Sequence, residues 1–305
     1  MPTLERLARD HTIVLVVTQP DRPAGRGGKS AATPVGAWAA SNLPGVRVLK
    51  PAKVNQPEVV AEIRGLGADA WVVIAFGQKL SKGLLDGAFA INLHASLLPR
   101  WRGAAPINAA ILSGDSVTGN SVITLADRMD AGLILGTSTM PIDPLRTAGE
   151  LHDQLAQDGP ALVARVLAEK ASGSLRAQTQ DETQVTIANK LSREDDAIDF
   201  HQPADFLRRQ IHALTPWPGV SADLDTTPPQ PLKLLRGKTL HNTHSDAPAG
   251  TIIDARVGTV SCGHGTVLQI LDVQPPGKRP MPWAAFANGR TIPPQTRIVS
   301  AQELA

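Results

Sequence analysis

An amide and an imidazole side chain stand two residues apart at the end of an apolar run. Asn92 and His94 follow Phe89-Ala90-Ile91, and if this run is a strand, its two-residue period places both side chains on one face. Leu98-Pro99 then turns the chain, because a proline cannot extend a central strand. An amide donates hydrogen bonds and an imidazole exchanges a proton near neutral pH. Open α/β sheets bind ligands at the carboxyl ends of their strands, so this pair predicts an active site. The alternative is a turn in which both residues only satisfy backbone groups.

The first half of the chain alternates short apolar runs with helical patterns. The apolar runs predict strands that are buried on both faces, as parallel strands are, at residues 12–17, 70–75 and 89–92, with a further strand at 120–126. Helical spacing or capping signals predict helices over 57–66, from Pro106 to Gly114, and from a Thr147–Glu150 capping box toward Lys170 with an interruption at Gly159-Pro160. This alternation is typical of an α/β wound sheet.

The second half has a different pattern. Residues 172–191 are polar and aperiodic, which is typical of a linker. After an amphipathic segment at 203–214 the chain predicts short strands and turns, namely strands at 232–235, 251–253, 259–261 and 267–273 with a hairpin turn at 263–265. This half is therefore expected to form a small all-β domain, a barrel.

Composition sets modest bounds. A chain of 305 residues is long enough for two domains, and 30 basic against 28 acidic side chains give no bulk attraction for nucleic acid. The single cysteine, Cys262, fits a reducing compartment. The sequence contains no run of 18 apolar residues and no basic start followed by an apolar signal core. A soluble, cytoplasmic protein that does not enter a membrane is expected.

The segment from Asn92 to Ile107, with the sequence NLHASLLPRWRGAAPI, resembles the signature of the methionyl-tRNA formyltransferase family. Further segments are similar to that family, namely TQPDRPAGRG at 18–27, QDET at 180–183 with KLS at 190–192, PWP at 216–218, AGTI at 249–252 and QPPGK at 274–278. The resemblance implies a Rossmann-like formyl-transfer domain over residues 1–172, a linker over 173–191, and an oligonucleotide-binding-like β-barrel over 192–305. It also implies transfer of the formyl group of 10-formyltetrahydrofolate to the α-amino group of methionyl initiator tRNA, for translation initiation.

The resemblance also assigns a catalytic trio. In the family an Asp lies 36 residues beyond the His in an Asp-x-Gly turn, and Asp130-Ala131-Gly132 occupies that position. Asn92 and a protonated His94 can donate to the oxygen of a tetrahedral intermediate, and Asp130 would stabilise the imidazolium. The group that accepts the amine proton stays open at this point. The alternative for Asp130 is an ordinary turn carboxylate.

Folate binding is implied at two loops. In the family the loop after the strand at 71–75 closes on the pterin ring, largely through backbone groups. The implied folate-binding residues are Phe76, Gln78, Lys79 and Leu80 in that loop, and Ser96, Leu97, Leu98 and Pro99 in the signature. The resemblance suggests a cis Leu98–Pro99 peptide, whereas the alternative for the first loop is a plain strand-to-helix connection. No metal is expected, because His241 and His244 lack an evident cysteine or carboxylate partner.

The implied tRNA contacts are basic residues. Arg22, Arg26 and Lys29 lie in a stretch rich in glycine and alanine that predicts a mobile, basic loop, and by resemblance this loop inspects the acceptor stem. Lys190 in the linker is a further candidate. Electrostatics alone adds possible phosphate contacts in the barrel at Lys233, Arg236, Lys238, Lys278 and Arg279. The alternative is a solvated loop and ordinary surface charge. The protein is expected to be a monomer.

The start of the chain departs from the family. Its members begin with a strand that ends in a Gly-Thr-Pro turn, whereas this chain begins in the following helix, at Pro2 to Leu7. Because family members often carry valine at the position of Met1, we interpret Met1 as a misassigned start at a GTG-type valine codon. The natural protein is then expected to be longer and to include that first strand.

Two other functions stay open from the sequence. One is another folate-dependent formyltransferase or deformylase, which acts on a sugar amine, a nucleotide or water. Such a protein would share the Asn-x-His and Asp-x-Gly elements but lack the 22–29 loop and the barrel. The other is a truncated, non-catalytic RNA-binding protein, which folding and formyl-transfer assays with a restored first strand would separate from an enzyme.

Overall fold

A computed structural model describes residues 1–24 and 29–301. The helices are α1 Pro2–Asp10, α2 Pro34–Asn42, α3 Pro57–Gly65, α4 Lys82–Leu85, α5 Pro106–Ser113, α6 Ala148–Ala171, α7 Ala204–Leu214 and α8 Trp283–Asn288. The strands are β1 Leu15–Val17, β2 Arg22–Ala24, β3 Lys29–Ala31, β4 Arg47–Leu49, β5 Trp71–Val73, β6 Ala90–His94, β7 Arg102–Gly103, β8 Val117–Thr124, β9 Ile134–Pro141, β10 Ile187–Ala188, β11 Val220–Leu224, β12 Gln230–Thr239, β13 Ile252–Asp254, β14 Thr259–Ser261, β15 Val267–Gln274, β16 Met281–Pro282 and β17 Ile298–Ser300.

The chain folds into two compact units, each built from more than one segment. The first unit comprises Met1–Arg102, Gly119–Thr139 and Gln154–Thr186. The second comprises Gly103–Thr118, Met140–Asp153 and the chain from Ile187 onward. The domain boundaries predicted at residues 172 and 191 stay a prediction. Within the described ranges, no helix is both long enough and apolar enough to cross a membrane.

The first unit is an α/β fold, as the sequence predicts. Its main sheet has the order β5-β6-β8-β9, and β1 and β4 form a separate parallel pair. β5 and β6 are parallel, as expected, but β8 runs antiparallel to β6, so the sheet is mixed. Ile91 and Val122 from the sheet pack with Leu162, Val163 and Val166 of α6 in a buried apolar cluster. This cluster fixes the sheet that carries the Asn-x-His pair.

Helix α6 confirms the predicted cap and corrects the predicted interruption. The Thr147 N–H donates to Glu150 Oε2 at 2.9 Å, and the Glu150 N–H donates back to Thr147 Oγ1 at 3.4 Å, which is the capping box. The predicted break at Gly159-Pro160 is wrong, because α6 runs through both residues. A Cβ on residue 159 would lie 2.6 Å from Leu93 Cδ2. Gly159 therefore lets the helix pack closely on the sheet, and this burial outweighs the hydrogen bond that Pro160 removes.

The second unit contains a curled antiparallel sheet, as the sequence predicts, but it is not all-β, because helices α5, α7 and α8 belong to the same unit. The strands pair in the order β13-β14-β15-β12-β11-β17, and β16 adds to β15. A bridge between Thr251 and Arg297 connects the two ends of this path, with the Ile298 N–H donating to the Gly250 carbonyl at 2.8 Å. The sheet thereby closes around a buried apolar core that includes Leu207, Ile211, Leu234, Ile270 and Trp283.

A histidine is fully buried in the second unit. The Gly237 N–H donates to His212 Nε2 at 3.1 Å, so the proton of the neutral ring resides on Nδ1, which donates to the Pro144 carbonyl at 3.1 Å. Burial, followed by the charges of Arg208 and Arg236, lowers the pKa of His212 from 6.5 to about 4. The ring is therefore a neutral, structural group at physiological pH.

This histidine makes the stability of the second unit depend on pH. Because the unfolded chain binds a proton at His212 below pH 6.5 and the folded unit binds it only near pH 4, acidification through this window favours unfolding. We expect the wild type to lose about 2–3 kcal/mol between pH 7 and pH 4.5 relative to a His212→Gln variant. Urea unfolding of both proteins at the two pH values measures this difference. A difference between the two proteins that stays constant across the range would contradict the assignment.

Candidate active site

Strand β6 sends alternate side chains to its two faces. Ile91 and Leu93 contact the apolar cluster of the first unit, so Asn92 and His94 lie on the opposite face. His94 is opposite Ser121 of β8, and its side chain is 7% exposed. The predicted strand and the shared face of the two residues are therefore present, at the carboxyl end of β6.

His94 lies between two oxygen acceptors. Its Nε2 is 2.9 Å from the Trp101 carbonyl, and since a carbonyl oxygen only accepts, Nε2 carries the proton of that hydrogen bond. Nδ1 on the other side of the ring is 3.6 Å from Asp130 Oδ2. The structure thus brings together the predicted His94 and Asp130, which are 36 residues apart in the sequence. The ring can hold a second proton on Nδ1 beside a carboxylate.

The Asn92 side chain is available to a ligand. It is partly buried on the His94 face of β6 and forms no hydrogen bond with any residue of the ranges 1–24 and 29–301. An amide provides two N–H donors. A polar atom of a bound molecule on this face could therefore accept a hydrogen bond from Asn92 next to the imidazole.

Both residues that contact His94 have an unusual backbone conformation. Trp101 has φ +63° and Asp130 has φ +52°, values in the left-handed region that residues other than glycine rarely adopt. Such conformations cost of order 1–3 kcal/mol and persist where the surrounding structure enforces them. Gly132, in the same turn as Asp130, has no room for a side chain, because a Cβ there would lie 1.7 Å from the Thr124 carbonyl oxygen.

Two serine hydroxyls, Ser96 in the turn and Ser121 in β8, hold the signature turn after β6. Leu98–Pro99 is a cis peptide, as predicted. Ser96 Oγ donates to the Arg100 carbonyl at 2.7 Å, and Ser121 Oγ donates to the Ser96 carbonyl at 2.7 Å. The Leu98 N–H donates to Ser121 Oγ at 3.1 Å. The Ser96 and Ser121 hydroxyls therefore hold the turn that presents the Trp101 carbonyl to His94.

The Gln78 side chain in the loop after β5 forms hydrogen bonds with neighbouring backbone groups. Gln78 Oε1 accepts from the Val54 N–H at 2.8 Å, and Gln78 Nε2 donates to the Pro51 carbonyl at 3.1 Å. Asn55 Nδ2 donates to the Lys79 carbonyl at 2.8 Å. The Gln78 amide is thus occupied, whereas the Lys79 side chain is exposed.

The apolar side chains of the same loop face the interior. Phe76 and Leu80 pack against a buried cluster that contains Val54 and Leu84. The Phe76 carbonyl accepts a hydrogen bond from Gln19 Nε2 at 2.6 Å. Of the loop residues predicted to bind folate, the structure leaves mainly backbone groups and Lys79 to meet a ligand.

Sequence reasoning missed a second group of residues at this site. Gln180 Nε2 donates to the Asp130 carbonyl at 2.7 Å and to the Gly132 carbonyl at 2.8 Å, and Gln180 Oε1 accepts from the Arg102 guanidinium. Gln180 lies in the segment predicted to be a linker. Its one signal in the sequence is that QDET at 180–183 belongs to the segments that carry the family resemblance.

The predicted tRNA-binding residues are spread over the chain. Arg22 is exposed in β2, which pairs antiparallel with β3, so the stretch expected to be a mobile loop contains a two-stranded ribbon. Lys29 belongs to β3, and Arg26 lies outside the described residues. Lys190 is exposed.

Two of the barrel cations predicted as phosphate contacts have protein partners. Arg236 pairs with Glu150 at 2.7 Å and with Asp272 at 3.1 Å, so its charge is already compensated within the second unit. This pairing holds the pKa of Glu150 at about 2. Lys233 Nζ donates to the Pro218 carbonyl at 2.8 Å. The exposed cations among these candidates are Lys238, Lys278 and Arg279.

The prediction that His244 lacks a carboxylate partner is wrong. This residue has a carboxylate neighbour after all, since its Nε2 lies 3.1 Å from Asp246 Oδ1, and both side chains are exposed. In the part of the chain that the structure describes, no three His, Cys, Asp or Glu residues are grouped so as to hold a metal ion.

The first unit has a mixed sheet with an amide, an imidazole and a carboxylate beside β6, and the second unit is rich in β-strands. The chain is therefore an α/β protein with a polar candidate active site and a second, β-rich unit. The chain belongs to the formyl transferase family. The family model for the formyl transferase domain matches residues 3–167, and the model for the formyl transferase C-terminal domain matches residues 190–291.

Similar proteins extend over nearly the whole chain. A methionyl-tRNA formyltransferase of Symbiobacterium thermophilum is 42% identical over 96% of this chain and 89% of its own length. A methionyl-tRNA formyltransferase of Thiobacillus denitrificans is 41% identical over 96% of this chain and 93% of its own length. Among solved structures, an N-formyltransferase of Helicobacter canadensis in complex with folinic acid and dTDP-3-aminofucose has a TM-score of 0.64 at 14% identity. That match covers 88% of this chain and 93% of that one, and it confirms the fold.

Proposed function

We propose that this chain transfers the formyl group of 10-formyltetrahydrofolate to the α-amino group of methionyl initiator tRNA. The observation that carries the proposal is the juxtaposition of His94 Nδ1 and Asp130 Oδ2 at 3.6 Å, beside an Asn92 amide that has no hydrogen-bond partner among residues 1–24 and 29–301. The names of relatives that are about 40% identical over nearly the full length support the same acceptor. On this proposal the enzyme works in the cytoplasm, in translation initiation.

In the first step the methionyl amine attacks the formyl carbon. A C–N bond forms, and the carbonyl π pair moves to oxygen, which becomes an oxyanion. Asn92 is the donor that we assign to this oxyanion, because its side-chain N–H groups lie on the His94 face of β6 and donate to no other group in the described part of the chain. The removal of one preorganised donor of this kind typically costs about 10²–10³ in rate.

In the second step the amine nitrogen loses a proton. Nε2–H of His94 is engaged by the Trp101 carbonyl, so Nδ1 is the ring position that can accept. We assign the amine proton to Nδ1, where the Asp130 carboxylate stabilises the imidazolium. When the intermediate collapses, the oxyanion re-forms the carbonyl, the bond to the folate nitrogen breaks, and His94 returns the proton to that nitrogen. The atoms and charges balance without a further reactant.

The folate donor is proposed to bind between the two loops. The Phe76–Leu80 loop would contribute backbone groups and Lys79, since the Phe76, Gln78 and Leu80 side chains are occupied in holding it. The turn formed by Ser96, Leu97, Leu98 and Pro99 would form the second wall. For tRNA we propose phosphate contacts at Arg22 and Lys190, which are exposed. Arg26 and Lys29 stay predictions, as does a monomeric state.

The test is formyl transfer by the purified protein with 10-formyltetrahydrofolate and methionine charged on either initiator or elongator tRNA. We expect formylation of the initiator species with kcat/KM at least about 10²-fold above the elongator species, a ratio equal to roughly 2.7 kcal/mol of discrimination. Equal rates with both tRNAs, or transfer to a sugar amine in preference to tRNA, would contradict the proposed acceptor. If folded protein transferred no formyl group to any acceptor, the proposal that this chain is an active formyltransferase would be contradicted.

A further inference from the structure

The turn that carries Asp130 is held by one buried amide. Both hydrogens of the Gln180 amide are used, one on the Asp130 carbonyl at 2.7 Å and one on the Gly132 carbonyl at 2.8 Å. Gln180 is 5% exposed. The amide therefore holds both ends of the Asp-x-Gly turn in which Asp130 has its left-handed backbone conformation.

Gln180 is in turn oriented by a buried arginine. Nε and one terminal nitrogen of Arg102 donate to Gln180 Oε1 at 2.9 and 2.8 Å, so the amide oxygen faces the guanidinium and the NH₂ group faces the turn. Arg102 is 5% exposed, and its charge is compensated by Glu182, which also pairs with Arg128. A guanidinium presents donors in a fixed planar arrangement, so it selects a single orientation of the Gln180 amide.

The same short segment holds the other contact of His94. Thr186 Oγ1 accepts from the Trp101 N–H at 2.9 Å, and the Thr186 carbonyl accepts from the Arg102 N–H at 2.9 Å. Trp101 supplies the carbonyl that fixes His94 Nε2. Residues 180–186 therefore touch both of the groups that lie on either side of the imidazole.

We propose that Gln180 is a positioning residue that sets the distance between the Asp130 carboxylate and His94, with Arg102 fixing its orientation. Residues 180–186, which lie in the segment predicted as a linker, thus belong to the first unit and support its candidate active site. The expected effect on kcat rests on the proposed function. The position of the Asp130 turn relative to His94 does not, because it can be measured in a crystal structure.

The variant Gln180→Glu isolates the donor function. A carboxylate has nearly the same shape and still accepts from Arg102, but it cannot donate to the Asp130 and Gly132 carbonyls. We expect kcat to fall by about ten- to a hundred-fold, with KM for both substrates within about two-fold, because a displacement near 1 Å at a reacting group is sufficient for such a loss. Gln184→Glu is the matched control, since Gln184 is exposed in the same segment and its amide donates to Asp181. It should leave kcat unchanged.

A double-mutant cycle separates positioning from general destabilisation. In an Asp130→Asn background Gln180→Glu should have little further effect on kcat, because the group that it positions is already disabled. Effects that multiply instead would overturn the proposal. If Gln180→Glu does not fold, Gln180→Met, a neutral side chain of similar length, takes its place in the same cycle.

A structural measurement tests the positioning without an activity assay. Crystal structures of the wild type, Gln180→Glu and Gln184→Glu should show the turn from Asp130 to Gly132 displaced by about 1 Å only in Gln180→Glu, with β6 unmoved. A turn that stays in place would overturn the proposal even if kcat fell. A displaced turn in a protein whose wild type transfers no formyl group would support the positioning and contradict the proposed function, so the two failures are distinguishable.

Discussion

Replacement of His94 by alanine is expected to lower kcat for formyl transfer by about 10²–10⁴-fold, the range for loss of a positioned acid–base group. The imidazole is the group that can receive the amine proton next to Asp130, because its Nδ1 lies 3.6 Å from Asp130 Oδ2 while its Nε2 is bonded to the Trp101 carbonyl. KM for 10-formyltetrahydrofolate should change little, since folate is proposed to bind at the 76–80 loop and the 96–99 turn rather than at His94. Steady-state kinetics with charged initiator tRNA measures both parameters.

The control for this substitution is another histidine of the first half of the chain. His152→Ala removes an exposed imidazole that pairs with the neighbouring Asp153, and it should leave kcat within about two-fold. Circular dichroism should show that both variants are folded at 25 °C, although His94→Ala leaves the Trp101 carbonyl without its donor, at a cost of about 1–3 kcal/mol. A folded His94→Ala protein with wild-type kcat would rule out the assigned proton acceptor.

Gly132→Ala should have the second largest effect, although it removes no functional group. A Cβ at this position would lie 1.7 Å from the Thr124 carbonyl oxygen and 2.6 Å from the Thr124 carbonyl carbon. The obstacle is the backbone of β8, so the turn must move by more than about 1 Å, and Asp130 moves with it. We expect about 10²-fold lower kcat and a loss of about 1–3 kcal/mol in the free energy of unfolding.

Gly65→Ala is the matched substitution where a methyl group has room. A Cβ there meets nothing within 4 Å, and Gly65 is an exposed residue at the end of α3. Its kcat should be unchanged and its stability equal to wild type or higher by about 0.5–1 kcal/mol. If Gly132→Ala retained full activity, the position of the Asp130 turn would not matter for formyl transfer. That result would also weaken the positioning role of Gln180.

Local signals in the sequence correctly predicted helix ends and the face of a strand on which a side chain lies. Helix α5 begins at Pro106 and ends before Gly114, whose φ of +83° is the left-handed C-cap that glycine favours. The two-residue period placed Asn92 and His94 on one face of β6, and the resemblance supplied Asp130 at the required spacing. In each case the information lies within a few residues or in a fixed spacing, and no tertiary contact is needed to read it.

The parts that were missed depend on long-range contacts. Nothing in the sequence around Gln180 indicates that its amide reaches a turn 50 residues earlier. The polar, aperiodic character of 172–191 was correctly recognised, but buried hydrogen bonds to Arg102 hold part of it in place. Gly159-Pro160 favours a break by local propensity, and only the close approach of Leu93 explains why the helix continues. Tertiary packing decided each of these cases against the local preference.

The discontinuous second unit has a consequence for the modularity of this protein. Several bonds join the C-terminal part of the chain to the earlier segments 103–118 and 140–153, among them His212 to Pro144, Arg236 to Glu150, and Asn108 to the Ala213 carbonyl. A fragment that begins near Ile187 would lack all of these partners and would leave a buried imidazole N–H unsatisfied. Deletion mapping with such fragments would therefore measure an incomplete unit.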